Sequence, residues 1–270
     1  MPTLSALHIY PLKSCAPRTL DTAVVEPRGL AHDRRWMVVD ADGKFLTGRQ
    51  HPRLTLVRAL PDGDALRLEA PGMPSMHALP PATDSTRLET AVWGARVTPL
   101  WAAARVHDWI STFLGVPCRI VHMDADCVRA VKAKYDGQYG EDGDEVSLAD
   151  GFPMLLISQA ALDQLNDKLA QPLPMLRFRP NLVIAGTTPH AEDGWKRIRV
   201  GDLEFDVIKP CVRCVFTTVD FERGQFDPSG EPLRTLKTYR RSPDGITFGQ
   251  NLIPRSSGTL HVGDHVEVLA

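Results

Sequence analysis

Cysteines and turn-borne basic residues carry the chemistry in this sequence. Cys211-Val212-Arg213-Cys214 is the one C-x-x-C, while Cys15, Cys118 and Cys127 have no partner at short spacing. A structural zinc site needs a second such pair or histidines at ligand spacing. The nine histidines include one close pair, His261 and His265, which straddles a Gly-Asp turn and reads as two strand side chains. A thioredoxin-type motif sits at the N-terminus of a helix. Here Val215-Phe216-Thr217-Thr218-Val219 follows, a β-branched run that predicts a strand over 215–220. What remains is a thiol among positive charges, Lys209-Pro210-Cys211-Val212-Arg213-Cys214. Nearby cations favour thiolate, the form that binds metals and attacks electrophiles, and soft thiolates suit soft or redox-active metals. On a strand, Arg213 and Cys214 point to opposite faces and Val212 shares the face of Cys214. The alternative is a pair of small cysteines packed in a core.

Basic residues in turn-like settings are the second feature. Lys13-Ser14 follows Tyr10-Pro11-Leu12, Arg34 lies in His32-Asp33-Arg34-Arg35-Trp36, and Arg179 precedes Pro180-Asn181. Arg offers a bidentate fork, Lys a point charge and Ser a donor, so the three together would hold a phosphate. Each taken singly is an ordinary surface charge.

Many short elements must position these groups. Glycine and proline are scattered as punctuation, with no internal repeat. Strands are expected at Leu7–Leu12, Arg35–Asp40 with Phe45–Gly48, Leu54–Leu60 with Ala65–Glu69, and Thr90–Pro99, the two pairs being hairpins with Asp-Gly turns. Val106, Ile110, Phe113 and Leu114 predict a helix that ends at Gly115. Cys118–His122 reads as a strand. Ser158 is a candidate N-cap for a helix with a Leu162, Leu165, Leu169 stripe. Strands follow at 181–185, 197–200, 203–208, 215–220, 259–262 and 265–269. Residues 124–150 form an acidic stretch containing Asp124, Asp126, Asp136, Glu141, Asp142, Asp144, Glu145 and Asp150. A loop of that length is functional or mobile, or a solvated excursion. The pattern predicts two β-rich units, residues 1–120 and 121–270.

Composition narrows the function classes. The 270 residues are 43% hydrophobic and 24% charged, which excludes a disordered chain, a coiled coil or a collagen-like fibre. A formal charge of −2 does not suit a nucleic-acid binder. No apolar run approaches the ~18–20 residues of a membrane span, and the start lacks the features of a signal peptide. Five cysteines, an odd and low number, point to a reducing compartment and a cytoplasmic protein.

An ordered set of segments carries a resemblance. Tyr-Pro-Leu-Lys-Ser-Cys (10–15), Asp-Arg-Arg-Trp (33–36), Arg-Gln-His-Pro-Arg-Leu (49–54), Phe-Arg-Pro-Asn (178–181), Lys-Pro-Cys-Val-Arg-Cys (209–214), Thr-Thr-Val-Asp (217–220), Leu-Arg-Thr-Leu-Lys-Thr-Tyr-Arg (233–240), Phe-Gly-Gln-Asn (248–251) and Val-Gly-Asp (262–264) occur in this order. The chain resembles the MOSC family, in particular its two-part members that include the mitochondrial amidoxime-reducing component and its bacterial relatives. The resemblance implies a β-rich α+β fold, a β-barrel MOSC domain preceded by a smaller β-rich N-terminal domain.

It also implies a molybdenum–molybdopterin cofactor. By this analogy Cys214 ligates the metal and is catalytic, and Cys211 stands behind it. Lys13, Ser14 and Arg34 would hold the pterin and its phosphate. Asp150, Gly151, Phe152, Arg179, Val212, Arg213 and Asn251 would line the cofactor, in a cleft between the two halves. Asp220 is the candidate proton carrier, or a plain turn-side Asp. The implied reaction converts a small N-hydroxylated substrate, R–NH–OH, to R–NH2. The sequence has no C-x4-C-x2-C spacing for a [2Fe–2S] centre, so electrons are expected from a separate protein, a reductase or a ferredoxin-like donor. No nucleic acid or membrane is expected as a partner. The family's association with pyridoxal phosphate comes with the resemblance and with no motif of this chain. Two other readings stand beside the reductase: a cofactor or sulfur carrier acting through Cys214, since a second thiol can resolve a persulfide, and a non-catalytic β-barrel binding module.

Overall fold

A computed structural model describes residues 1–63, 65–131 and 140–270 of the chain. Asp64 and Asp136 lie outside the described residues.

The largest sheet has nine strands and gathers both ends of the sequence. Its path runs Arg18–Leu20, Thr3–Ile9, Leu182–Ala185, Met154–Ser158, Gly245–Pro254, Leu203–Val212, Arg197–Val200 and Val266–Val268, with Arg241–Ser242 paired to Gly245–Pro254. The path is open rather than a closed ladder. The residue before its last strand bridges back to its second, Thr3 to His265, supported by Leu4 N–H to Asp264 O (2.8 Å) and Val266 N–H to Pro2 O (3.0 Å). Leu203, Phe205 and Val207 alternate inward along one strand, as period-two patterning requires. They meet Leu4, Leu7, Ile9, Leu156 and Ile184 in one apolar core.

Met154–Ser158 is buried throughout because both of its faces are covered. Met154 and Leu156 face the core just described, whereas Leu155 and Ile157 pack on Ala161, Leu162, Leu165 and Phe178. The helix Gln159–Asn166 makes the crossover that a parallel neighbour demands, here to Leu182–Ala185. Ser158 caps it as expected, its hydroxyl accepting from Ala161 N–H at 3.2 Å.

The N-terminal half builds a second core. The helix Ala104–Leu114 buries Val106, Trp109, Ile110 and Phe113 against Trp36, Val38, Leu54, Leu66 and Leu68, and ends at Gly115 with φ 72. Strands Trp36–Asp40 and Cys118–His122 pair antiparallel. The first strand, however, lies in the sheet of the C-terminal half, with Leu7 opposite Leu182. Thr22–Glu26 follows it there, paired with Gly258–His261, and Ala23, Val25 and Leu30 join the same apolar core.

Several elements differ from the sequence expectation. Thr90–Pro99 is not one strand but a hairpin, Thr90–Val92 with Ala95–Val97, turned at Trp93-Gly94. Pro52–Leu56 is a 3-10 turn with proline in its first turn, and its strand starts only at Arg58. Val215–Thr218 is a 3-10 turn, not a strand. Its threonine hydroxyls satisfy local carbonyls instead of facing a ladder: Thr217 Oγ1 donates to Cys214 O at 2.9 Å and Thr218 Oγ1 to Val215 O at 2.8 Å. Strand Leu203–Val212 thus ends two residues before Cys214, and the opposite-face argument for Arg213 and Cys214 lapses.

Candidate functional site

A cleft of about 160 Å3 opens where residues of the two halves meet. Eleven of the twelve site residues expected from the sequence line it: Lys13, Ser14, Arg34, Asp150, Gly151, Phe152, Arg179, Val212, Arg213, Cys214 and Asn251. Asp220 is the exception. It ends the two-residue strand Val219–Asp220, and its Oδ1 accepts the N–H groups of Glu222 (3.0 Å) and Arg223 (3.2 Å). That is the turn-side role of a carboxylate. Arg177, a residue of the lining, places its Nη2 3.8 Å from the Asp220 Oδ2.

Tight backbone turns aim the basic residues inward. Ser14, Arg34 and Arg179 have φ of 70, 49 and 58. Left-handed conformations cost non-glycine residues on the order of 1–3 kcal/mol each and gather where function fixes them. The ring of Tyr10 lies between two guanidinium groups, Arg34 at 4.2 Å and Arg179 at 4.0 Å from its centroid. Tyr10 is fully buried, and burial pushes its hydroxyl well above the usual phenol range. The hydroxyl donates to Pro180 O at 2.9 Å. Behind the pair, buried Asp33 accepts Tyr10 N–H (2.8 Å) and Arg34 Nη1 (2.6 Å). Asn181 adds Oδ1 to Arg34 at 3.2 Å while bonding both neighbouring strands, through Leu155 N–H and His8 O. Burial lowers Arg179 to about 10, and its Nη1 donates to Cys15 O at 2.8 Å.

Lys13 is nearly enclosed. Its Nζ donates to Asp150 Oδ1 at 2.6 Å and to Leu148 O at 2.7 Å. Burial lowers its pKa, against the pull of Asp150. Burial would raise Asp150, but the Lys13 charge and hydrogen bond, the Trp93 indole and Arg49 outweigh it and hold the carboxyl well below its ordinary range. Arg129, lowered by burial to about 10, clamps the same loop by donating to the carbonyls of Ser147 (2.8 Å), Ala149 (2.5 Å) and Asp150 (2.7 Å).

On the opposite wall, Arg49 Nε donates to Cys214 Sγ at 3.2 Å. Arg213 Nη1 donates to Cys211 Sγ at 3.0 Å and its Nη2 to Phe178 O at 2.5 Å. Asn251 Nδ2 donates to Lys209 O at 3.2 Å. Sequence reasoning assigned no role to Arg49, Arg177, Thr47, Phe216 or Thr217, all in the lining. Arg49 heads the Arg-Gln-His-Pro-Arg-Leu segment, so its motif was visible although its contact was not.

Six cations (Lys13, Arg34, Arg49, Arg177, Arg179 and Arg213) and one carboxylate, Asp150, line the cleft. In a chain of net charge −2 this local excess marks an anion site. Buried Nη1 of Arg177, Nη2 of Arg179 and Nε of Arg213 have no hydrogen-bond partner, a deficit that buried donors rarely tolerate. Among the described residues no set of three His, Cys, Asp or Glu side chains gathers as a metal cage. Cys214 on the wall offers one thiol to a metal. The residues therefore fit an anionic, metal-bearing cofactor.

A basic cleft with a cysteine on its wall defines a protein built to bind an anionic group beside a thiol ligand. The chain belongs to the MOSC family: residues 1–117 match the MOSC N-terminal beta barrel domain and residues 143–267 the MOSC domain. Membership carries molybdenum cofactor binding. Among its relatives, mitochondrial amidoxime-reducing component 1 of Mus musculus is 34% identical over 282 residues, covering 99% of this chain and 82% of that protein. The Homo sapiens protein of the same name is 34% identical, covering 99% and 83%. A molybdenum cofactor sulfurase of Oryza sativa subsp. japonica is 32% identical over 262 residues, covering 91% of this chain and 32% of that protein. No helix among the described residues is long and apolar enough to cross a membrane.

Proposed function

We propose that the chain is a molybdenum-cofactor-dependent reductase of N-hydroxylated compounds that draws electrons from a separate redox protein. The net reaction is R–NH–OH plus two electrons and two protons to R–NH2 and water. The cofactor, when bound, supplies the two-electron oxygen-removing chemistry; the protein binds, orients and tunes it. The observation that carries this reading is the meeting of Cys214 with basic residues from both halves in one cleft. Similarity to amidoxime-reducing components over nearly the whole chain favours the reductase over the carrier.

In this reading Cys214 Sγ ligates the metal. Lys13, Ser14, Arg34 and Arg179 hold the pterin and its phosphate by charge and hydrogen bonds. The loop Asp150-Gly151-Phe152, with Val212, Arg213 and Asn251, shapes the walls that orient cofactor and substrate. Lys13 Nζ helps to keep Asp150 ionised, so at neutral pH the carboxylate accepts hydrogen bonds and holds no proton to donate. Asp220 stands outside the lining, 3.8 Å from Arg177 Nη2.

The test is molybdenum per chain from a host that makes the cofactor, with Cys214→Ser as the paired variant, followed by turnover of an N-hydroxylated base. The expected result is about one metal per wild-type chain, little in the variant, and reduction with dithionite but not with NAD(P)H alone. Absence of molybdenum from both chains, in a host shown to load a known molybdoenzyme, overturns the reading. Loading without any turnover would favour the carrier.

A further inference from the structure

Arg49 bonds both the cysteine expected to bind metal and the carboxylate across from it. Its Nε donates to Cys214 Sγ at 3.2 Å and its Nη2 to Asp150 Oδ2 at 3.0 Å. Both donors belong to one planar guanidinium, so the distance between sulfur and carboxylate is set by a rigid fork.

The fork is itself held. Its carbon lies 4.5 Å from the centroid of the Trp93 ring, and the Trp93 indole donates to Asp150. Trp93 has φ 49, a strained conformation for a bulky residue, at the tip of the hairpin Thr90–Val92 and Ala95–Val97. Phe45 packs edge-on against it at 5.0 Å. One residue before Arg49, a Cβ on Gly48 would stand 2.1 Å from Phe216 Cε2, so the ring fixes the path of the chain there. The N-terminal half thus reaches over the cleft and grips a thiol of the C-terminal half. A plain counter-charge to Asp150 would need none of this, since Lys13 already pairs with that carboxylate at 2.6 Å.

We propose that Arg49 is a positioning residue for the Cys214 sulfur, with Trp93 holding Arg49 in place. It fixes the orientation of Sγ and, once metal is bound, draws electron density from the sulfur. This inference rests on the molybdenum reading above. Partners that bond a metal ligand orient it and tune the metal, and hydrogen bonds to ligating sulfur shift metal potentials.

The experiment uses full-length holoprotein carrying Arg49→Met, Arg49→Lys or Trp93→Phe. Molybdenum retained during dialysis is followed by elemental analysis, and the molybdenum X-ray absorption edge is recorded. Both Arg49 variants should hold metal about 10-fold or more weakly than wild type, seen as greater loss in dialysis, the size of effect typical for partners of metal ligands. Their edge should move to lower energy, because a sulfur without its N–H donor gives the metal more density. Trp93→Phe, which keeps a ring but loses the indole donor, should fall between. Melting of the metal-free chains tests folding. Should Arg49→Met not fold, Arg49→Lys carries the test, because it keeps the charge beside Asp150 and loses the fork. Wild-type release and a wild-type edge in Arg49→Lys would overturn the inference and leave Arg49 a counter-charge. A wild-type chain without molybdenum would overturn the parent reading, and this one with it.

Discussion

Asp33→Ala should be among the most destabilising single changes near the cleft, although Asp33 lines none of it. The carboxylate is fully buried and bonded on both oxygens, to Tyr10 N–H at 2.8 Å and to Arg34 Nη1 at 2.6 Å. Arg34 is itself 13% exposed and lies on the Tyr10 ring, with Arg179 on the same ring. Removing the carboxylate leaves a buried N–H unpaired and a guanidinium whose remaining carbonyl is Asn181 Oδ1, at 3.2 Å. Breaking one side of a buried pair costs about 3–5 kcal/mol. At about 2–4 °C per kcal/mol for a chain of roughly this size, the melting temperature should fall by about 6–20 °C. Asp33→Asn keeps the shape and one acceptor but loses a charged hydrogen bond, so it should cost less, about 1.5–3 kcal/mol. Asp33→Ala combined with Arg34→Met removes both charges and should recover much of the loss, because coupled partners are not additive. Thermal melting of the metal-free chain by circular dichroism, checked by urea unfolding, reads all three. A loss below about 1 kcal/mol in Asp33→Ala, or strict additivity in the double variant, would refute the argument that burial makes the two charges interdependent.

Asp150 should make stability fall in acid. Its folded pKa is held below the unfolded value, so its contribution is full above the ordinary carboxylate range and is lost as pH falls through the folded value. The urea midpoint of Asp150→Asn should therefore lie below wild type at pH 7, and the gap should begin to narrow as pH falls below the ordinary carboxylate range while staying open at pH 3; a gap that does not change with pH would contradict this. Gly48→Ala should cost about 1–3 kcal/mol by overpacking, since the new Cβ meets the Phe216 ring at 2.1 Å. Phe216→Leu should relieve that loss, and a neutral Gly48→Ala melt would contradict the clash. Ser158→Ala should cost about 1 kcal/mol through the lost helix cap, with molybdenum content unchanged; a drop in metal would show that the helix Gln159–Asn166 supports the cleft more closely than its contacts indicate.

Local patterns were legible where one short-range rule decided them. Gly115 closes its helix, Ser158 caps its own, and Cys118–His122 is a strand with the bounds its apolar spacing implies. Patterns failed where a neighbour outweighed propensity. The β-branched run 215–218 coils into a 3-10 turn because Thr217 and Thr218 bond local carbonyls. The run 90–99 folds back on itself at Trp93-Gly94, where Trp93 takes a positive φ and packs on Phe45 and Arg49. The helix Leu233–Tyr239 and the ten-residue strand Gly245–Pro254 escaped notice because neither carries a clear amphipathic period.

The residue types of the site belong to the sequence: a cysteine beside arginine, basic residues in turns, and motifs in an order that places the chain in the MOSC family. These are properties of single positions and short spacings, which survive without coordinates. Their convergence is tertiary. Lys13, Asp150 and Arg49 meet only because the first strand crosses into the sheet of the C-terminal half and Thr22–Glu26 follows it. The same folding removed Asp220 from the cleft lining and brought Arg49 onto Cys214, 165 residues away. Contacts at such separation are chosen by which apolar faces bury together, and no local spacing encodes that choice.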